Sequence, residues 1–191
     1  MQKIALLALG LGALAMTEPA QSFAGDRTLD EVRQMMKEAE AQGLARSATK
    51  TKLVEARPAK PGEVIVTVLA GEGKETQSRP AVKGDWVVRS RCEATGNEEY
   101  LVAAGKFEER YEPAGKAATG EWREFRPLGK VMRFFELKPE HGEFAFIAPW
   151  GERMIAKPGD AIVQDPKDPN DIYRVAAAAF ACTYEEVREP K

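Results

Sequence analysis

The sequence predicts an α+β fold: two copies of a small β-rich unit, roughly β-β-β-β-α, packed together and preceded by an N-terminal helix. Three observations carry this expectation. The 191-residue chain repeats itself internally, its strand-like runs are dense in β-branched residues, and one early polar stretch opens like a capped helix.

The repeat is the strongest of the three. Lys83-Gly84-Asp85-Trp86-Val87-Val88 returns as Pro158-Gly159-Asp160-Ala161-Ile162-Val163, and Tyr100-Leu101-Val102-Ala103-Ala104 returns as Tyr173-Arg174-Val175-Ala176-Ala177. Phe107 matches Phe180, and Tyr111-Glu112 matches Tyr184-Glu185. The offset is 75 residues at the Gly-Asp corner and 73 after it, so the intervening loop differs by two residues. Eleven positions between 84 and 112 are identical in the second copy: Gly84, Asp85, Val88, Asn97, Tyr100, Val102, Ala103, Ala104, Phe107, Tyr111 and Glu112.

Read in chain order, the first segment is an address. Lys3 is followed by an uncharged run from Ile4 to Ala15, and Ser22-Phe23-Ala24 offers small residues at both positions that a signal peptidase reads. Twelve apolar residues are too few for a spanning helix, which needs about 20. Residues 1–24 therefore read as a signal peptide cleaved after Ala24. The expected mature protein is periplasmic or secreted and has no transmembrane anchor.

Thr28-Leu29-Asp30-Glu31 forms a capping box, and Leu29, Val32, Met35, Met36 and Ala39 recur at helical spacing. A helix over about 29–42 follows, either docked on the domain or free to engage a partner. Residues 45–62, rich in Ala, Lys, Arg, Thr and Pro, read as a linker. Its basic residues Arg46, Lys50, Lys52, Arg57 and Lys60 read as a solvated tether, with an anionic partner as the alternative. The expected boundaries are thus 25–62 for helix and linker, 63–115 for unit one and 116–191 for unit two.

Within a unit, strands are expected at 64–69 in copy one, and at 131–137 and 144–148 in copy two. Gly84-Asp85 and Gly159-Asp160 make tight turns, glycine supplying positive φ and aspartate bonding to backbone. A strand after each turn places Trp86 and Val88 on one face and Val87 and Arg89 on the other. Turn-rich loops at 92–97 and 166–170 close hairpins, and the return strands carry Tyr100 and Tyr173. Short helices at 103–111 and 176–184 then hold Phe107 with Tyr111, and Phe180 with Tyr184, four residues apart on one face.

Pro158-Gly159-Asp160, a short strand, a turn, a tyrosine and Phe-x-x-x-Tyr-Glu together resemble the bacterial and phage family named after its PGDYG signature. The resemblance covers 83–113 and 157–186. Copy one departs at Lys83 and Trp86, and copy two has Ala161 where the aromatic residue belongs. It implies architecture and transfers no chemistry.

The residues point to no catalytic, metal or cofactor constellation. Asp85 and Asp160 sit in structural turns. The single histidine, His141, lies in a loop without assignable partners, and Asp165, Asp168, Asn170 and Asp171 lack the ligand order of a calcium loop. Trp86, Trp122 and Trp150 are the candidate ligand or partner surface, Trp86 also being a candidate for the core, and Trp86 opposite Ala161 breaks the symmetry of the copies. Cys92 and Cys182 are expected to form a disulfide stapling the C-terminal helix of one unit to the hairpin of the other. A net charge of −2 with interspersed signs excludes a nucleic-acid footprint.

The function expected is a non-enzymatic binding module whose ligand, a protein or small molecule of the cell envelope, sits between the units. Two rivals stand beside it: an envelope enzyme using Asp or Glu, and an assembly protein engaging a partner through Met35 and Met36.

Overall fold

A computed structural model describes residues 23–117 and 120–187. The expected signal run, residues 4–15, and Ser22 of its cleavage motif lie outside the described residues. The fold is α+β and mainly strand.

The chain begins with β1 (Phe23–Asp26) and α1 (Leu29–Ala41). Thr28 caps α1 with a full capping box: the Glu31 N–H donates to Thr28 Oγ1 at 3.2 Å and the Thr28 N–H donates to Glu31 Oε2 at 2.6 Å. Then follow β2 (Arg46–Lys50), β3 (Val54–Pro58), the hairpin β4 (Val66–Leu69) and β5 (Gly73–Gln77), and the hairpin β6 (Trp86–Ser90) and β7 (Glu99–Val102). Next come α2 (Ala104–Arg110), β8 (Tyr111–Ala117), β9 (Arg123–Pro127) and β10 (Val131–Glu136). A hairpin of β11 (Glu143–Ile147) and β12 (Arg153–Ala156) is followed by β13 (Ala161–Asp165), β14 (Asp168–Val175), α3 (Ala177–Thr183) and β15 (Tyr184–Glu186).

Two five-stranded sheets hold the molecule together, in the orders β7-β6-β3-β9-β8 and β14-β13-β10-β2-β15. In each, a hairpin ending in a short helix forms one edge and the strand after that helix forms the other. The chain changes sheets twice. β2 lies in the second sheet between β10 and β15, yet the next strand, β3, lies in the first. β9 lies in the first sheet beside β3 and β8, yet β10 returns to the second.

This overturns the linker expected at 45–62. It carries β2 and β3, two inner strands of the sheets, so boundaries at 62 and 115 do not separate the sheets. The physical reason lies in the inward residues. Ala48 and Ala56 are fully buried, but they are too small to mark a strand by hydrophobicity; Arg46 and Lys50 share the face of Ala48, and Glu55 and Arg57 flank Ala56. Nor are the basic residues all solvated: Arg57 pairs with Glu63, and the Lys50 ammonium bonds Tyr100.

Each sheet is covered on both faces. Trp86, Val88, Val102, Val54, Ala56 and Phe125 pack with Phe107 and Tyr111 on one face of the first sheet, and Val87 packs with Ala59, Ile65 and Ala81 on the other. The second sheet packs Ala161, Val163, Phe134 and Met132 against Phe180 and Tyr184, while its opposite face holds α1. Val32, Met35, Met36 and Ala39 of α1 are buried among Phe135, Phe144, Phe146 and Ile162. With both methionines inside this core, α1 has no apolar face left for a partner, which corrects the assembly reading.

Trp86 stacks on Phe107 with ring centroids 4.3 Å apart. Opposite it in the second sheet stands Ala161, and there Phe134 meets Phe180 at 4.5 Å instead, from the neighbouring strand. The ring is thus supplied by β6 in one sheet and by β10 in the other. Beside Ala161 a shallow depression of about 430 Å³ remains between Glu136, Phe180 and Glu186.

Cys92 and Cys182 form a disulfide with Cα atoms 6.1 Å apart, closing 90 residues of chain. It joins the β6–β7 loop to α3, as the sequence led us to expect.

Candidate functional site

The two Gly-Asp corners set the site's frame. Gly84 and Gly159 adopt φ of 98° and 93°, and a Cβ on Gly84 would stand 3.3 Å from the Ala104 Cβ. The aspartate after each glycine caps the helix that follows. α2 and α3 start on Ala103 and Ala176, which have no capping side chain. Asp160 Oδ1 accepts the Ala177 N–H at 3.0 Å, and its Oδ2 accepts the Lys157 N–H at 2.9 Å and Arg174 Nε at 2.7 Å. Asp85 accepts the Val82 N–H at 2.9 Å, Arg79 Nη1 at 2.7 Å and the Ala104 N–H. These carboxylates are fully engaged in structure.

Burial would push the Asp85 carboxyl up, but Arg79 and the two backbone N–H groups outweigh it and hold it below the ordinary aspartate value. A depressed folded value means stability present above the unfolded pKa, about 3.9, and lost as the pH falls through the folded value. Asp85→Asn should accordingly flatten the acid limb of a stability-versus-pH curve; an unchanged limb would contradict this role.

Between the sheets lies a cavity of about 400 Å³. All four tyrosines of the chain line it, two from each sheet. The Tyr100 and Tyr111 hydroxyls are 3.2 Å apart, and the Tyr173 and Tyr184 hydroxyls 3.3 Å. These residues, expected as structural members of the repeat, are therefore also walls of the cavity. Leu101, Val102, Met132, Met154, Val175 and Ala179 are among its apolar lining, and Trp150 stands at its solvent side, 37% exposed and 5.9 Å from the Tyr173 ring.

Of the three tryptophans offered as ligand surface, only Trp150 lines this cavity. Trp86 is committed to the core by its stacking on Phe107. Trp122 lies under the guanidiniums of Arg89 and Arg57, at 3.9 and 5.2 Å. His141 accepts the Lys138 N–H at 2.8 Å in its loop. The acidic loop is turned to the protein's own donors: Asp165 to Lys130 at 2.6 Å, and both oxygens of Asp171 to Arg110 at 2.7 Å. No metal-holding cluster of His, Cys, Asp or Glu occurs among the described residues.

No family model, curated protein or solved structure matches this chain. The site is therefore read from its own chemistry.

Six lysines and arginines line the cavity, and five hold a carboxylate: Arg79 on Asp85, Lys106 and Arg110 on Asp171, Lys130 on Asp165, and Arg174 on Asp160, Glu72 and Glu75. Lys50 differs. It is the last residue of β2, where the chain leaves one sheet for the other, and it pairs in register with Tyr184. Its ammonium donates to Tyr100 Oη at 2.7 Å and contacts Tyr111 Oη at 3.4 Å, and no carboxylate reaches it among the described residues. Burial opposes its charge, but the surrounding Tyr111, Tyr184 and Tyr173 oxygens more than offset this and raise its pKa above the ordinary lysine value.

Glu75, Glu98 and Glu152 also line the cavity. Burial pushes the Glu75 and Glu152 carboxyls up, opposed by Arg174 at the first and by the Trp150 indole and Arg79 at the second. Sequence reasoning missed Lys50, Glu75 and Glu152. None lies in the segment identical between copies, and Lys50 sat in the supposed linker. The signal available was the pairing of Tyr100 with Tyr111 and of Tyr173 with Tyr184, which demanded a polar neighbour for four phenols.

Proposed function

We propose that this chain is an exported, non-enzymatic binding module of the cell envelope, made of two copies of one unit that exchange their first strands and bind a small amphipathic ligand between them. The observation carrying the reading is the cavity itself: apolar in its greater part, of ligand size, and provided with a few convergent polar groups.

Several features support duplication. The sheets share strand order, and β2 and β9 hold equivalent places, each preceding the strand that leads the other sheet. Asp85 and Asp160 cap equivalent helices, and the tyrosine pairs match across the copies. Export is supported by the run from Ile4 to Ala15, the Ser22-Phe23-Ala24 motif and the disulfide. The resemblance to the PGDYG family belongs to this reading as architecture alone.

Isothermal titration with 1-octanol and with octanoate tests the cavity. Saturable binding of at least one is expected. Trp150→Ala, at an exposed position that leaves the fold intact, should weaken binding about 10-fold by removing one aromatic wall. No binding by either probe, or binding indifferent to Trp150, would dismiss the cavity as a ligand site.

A second reading, Asp/Glu chemistry on envelope material, is favoured by one observation: Glu75 and Glu152 line the same cavity with upward-shifted carboxyls. Arg174 occupies Glu75, which leaves Glu152 as the candidate acid. Release of soluble fragments from purified cell-wall sacculi by the wild type, abolished in Glu152→Gln, would favour this second reading. No release is the outcome expected of a binding module.

A further inference from the structure

We infer that the occupant of the cavity carries a single carboxylate on an apolar body, and that Lys50 is the residue that selects it. The inference rests on the cavity being a ligand site, as proposed above, and adds which chemical class fits.

A buried cation is costly unless paired, and five of the six cations lining this cavity have protein carboxylates within ion-pair distance. Among the described residues Lys50 has only phenol oxygens. An ammonium has three donors: one is spent on Tyr100 at 2.7 Å and a second directed to Tyr111 at 3.4 Å, which leaves a third for a ligand. One unpaired positive charge calls for one negative charge. A dianion such as a phosphate monoester would leave a charge unmatched, because Arg110 is held by Asp171 and Lys106 lies among Glu109, Asp168 and Asp171.

A carboxylate has a second oxygen as well. The Tyr100 and Tyr111 hydroxyls stand 3.2 Å apart beside the ammonium; one donates to the other, which leaves one O–H to donate to that oxygen. The remainder of the molecule would lie along Met132, Val175 and Ala179 toward Trp150. The arrangement serves binding and not amine nucleophilicity, since the ammonium is held protonated.

The test compares octanoate with 1-octanol, which share a chain and differ in charge, by isothermal titration at pH 7.5 on the wild type, Lys50→Met and Lys50→Arg. The wild type should prefer octanoate by about 10- to 100-fold, the worth of a charge-assisted hydrogen bond shielded from water. Lys50→Met should erase the preference while keeping octanol binding, which also reports that the variant is folded, and Lys50→Arg should retain it. Equal binding of both probes by the wild type, or a preference that survives Lys50→Met, overturns the inference and leaves the cavity as a ligand site. If neither probe binds, the ligand-site reading itself fails and takes this inference with it.

Discussion

Replacing Asp160 by alanine is expected to destabilise the protein by about 2–4 kcal/mol, the sum of a lost helix cap and a lost charge-assisted hydrogen bond. Asp160 is 3% exposed and its side chain does three things at once. It accepts the first free N–H of α3, it closes the turn at Lys157, and it neutralises Arg174, itself 4% exposed. Removing it opens the helix end, worth about 1 kcal/mol alone, and leaves Arg174 to Glu72 and Glu75. Asp160→Asn keeps the size and part of the hydrogen bonding, so its effect should be smaller. Urea unfolding followed by circular dichroism checks the order; an alanine variant as stable as the wild type would mean that the Gly-Asp corner is dispensable.

Breaking the Cys92–Cys182 bridge should have an effect of similar size. The bond closes 90 residues, and the chain-entropy model assigns such a loop about 4–5 kcal/mol through restriction of the unfolded state. The bridge ties α3 to the loop after β6, which also fixes one end of the cavity wall. Unfolding of the oxidised protein against the Cys92→Ser, Cys182→Ser double variant measures it, and the double variant should also bind octanoate more weakly. Superimposable unfolding curves would remove the bridge from the stability of the fold.

The parts of the fold legible in the sequence were those with large or special residues. The strands at 131–136 and 143–147 are marked by Phe134, Phe135, Phe144 and Phe146, and the helix at 29–41 by its capping box and its Val and Met spacing. The disulfide could be placed because Cys182 lies off the Phe180 face of its helix. β2 and β3 were not legible, because Val54 is the one large apolar residue among their buried positions, the others being Ser47, Ala48 and Ala56, and their flanks are charged. With them the crossings between the two sheets were lost, since no local pattern says which sheet a strand joins. The site suffered most from this. Lys50 owes its position to the crossing between sheets, a long-range property, and the carboxylates at 75 and 152 come from hairpins outside the identical block. Trp122 misled for the opposite reason: a large ring in a glycine-containing turn reads as exposed, yet it is capped by two arginines.

Because Tyr100, Tyr111, Tyr173 and Tyr184 are the chain's entire tyrosine complement and all border one cavity, carbon-13 labelling of tyrosine rings gives four reporters, every one of them at the proposed ligand site. Titrating octanoate into such a sample should shift all four ring signals along a common saturation curve. Saturable octanoate binding that leaves the four signals where they were would put the ligand elsewhere on the molecule and contradict a shared site between the two sheets.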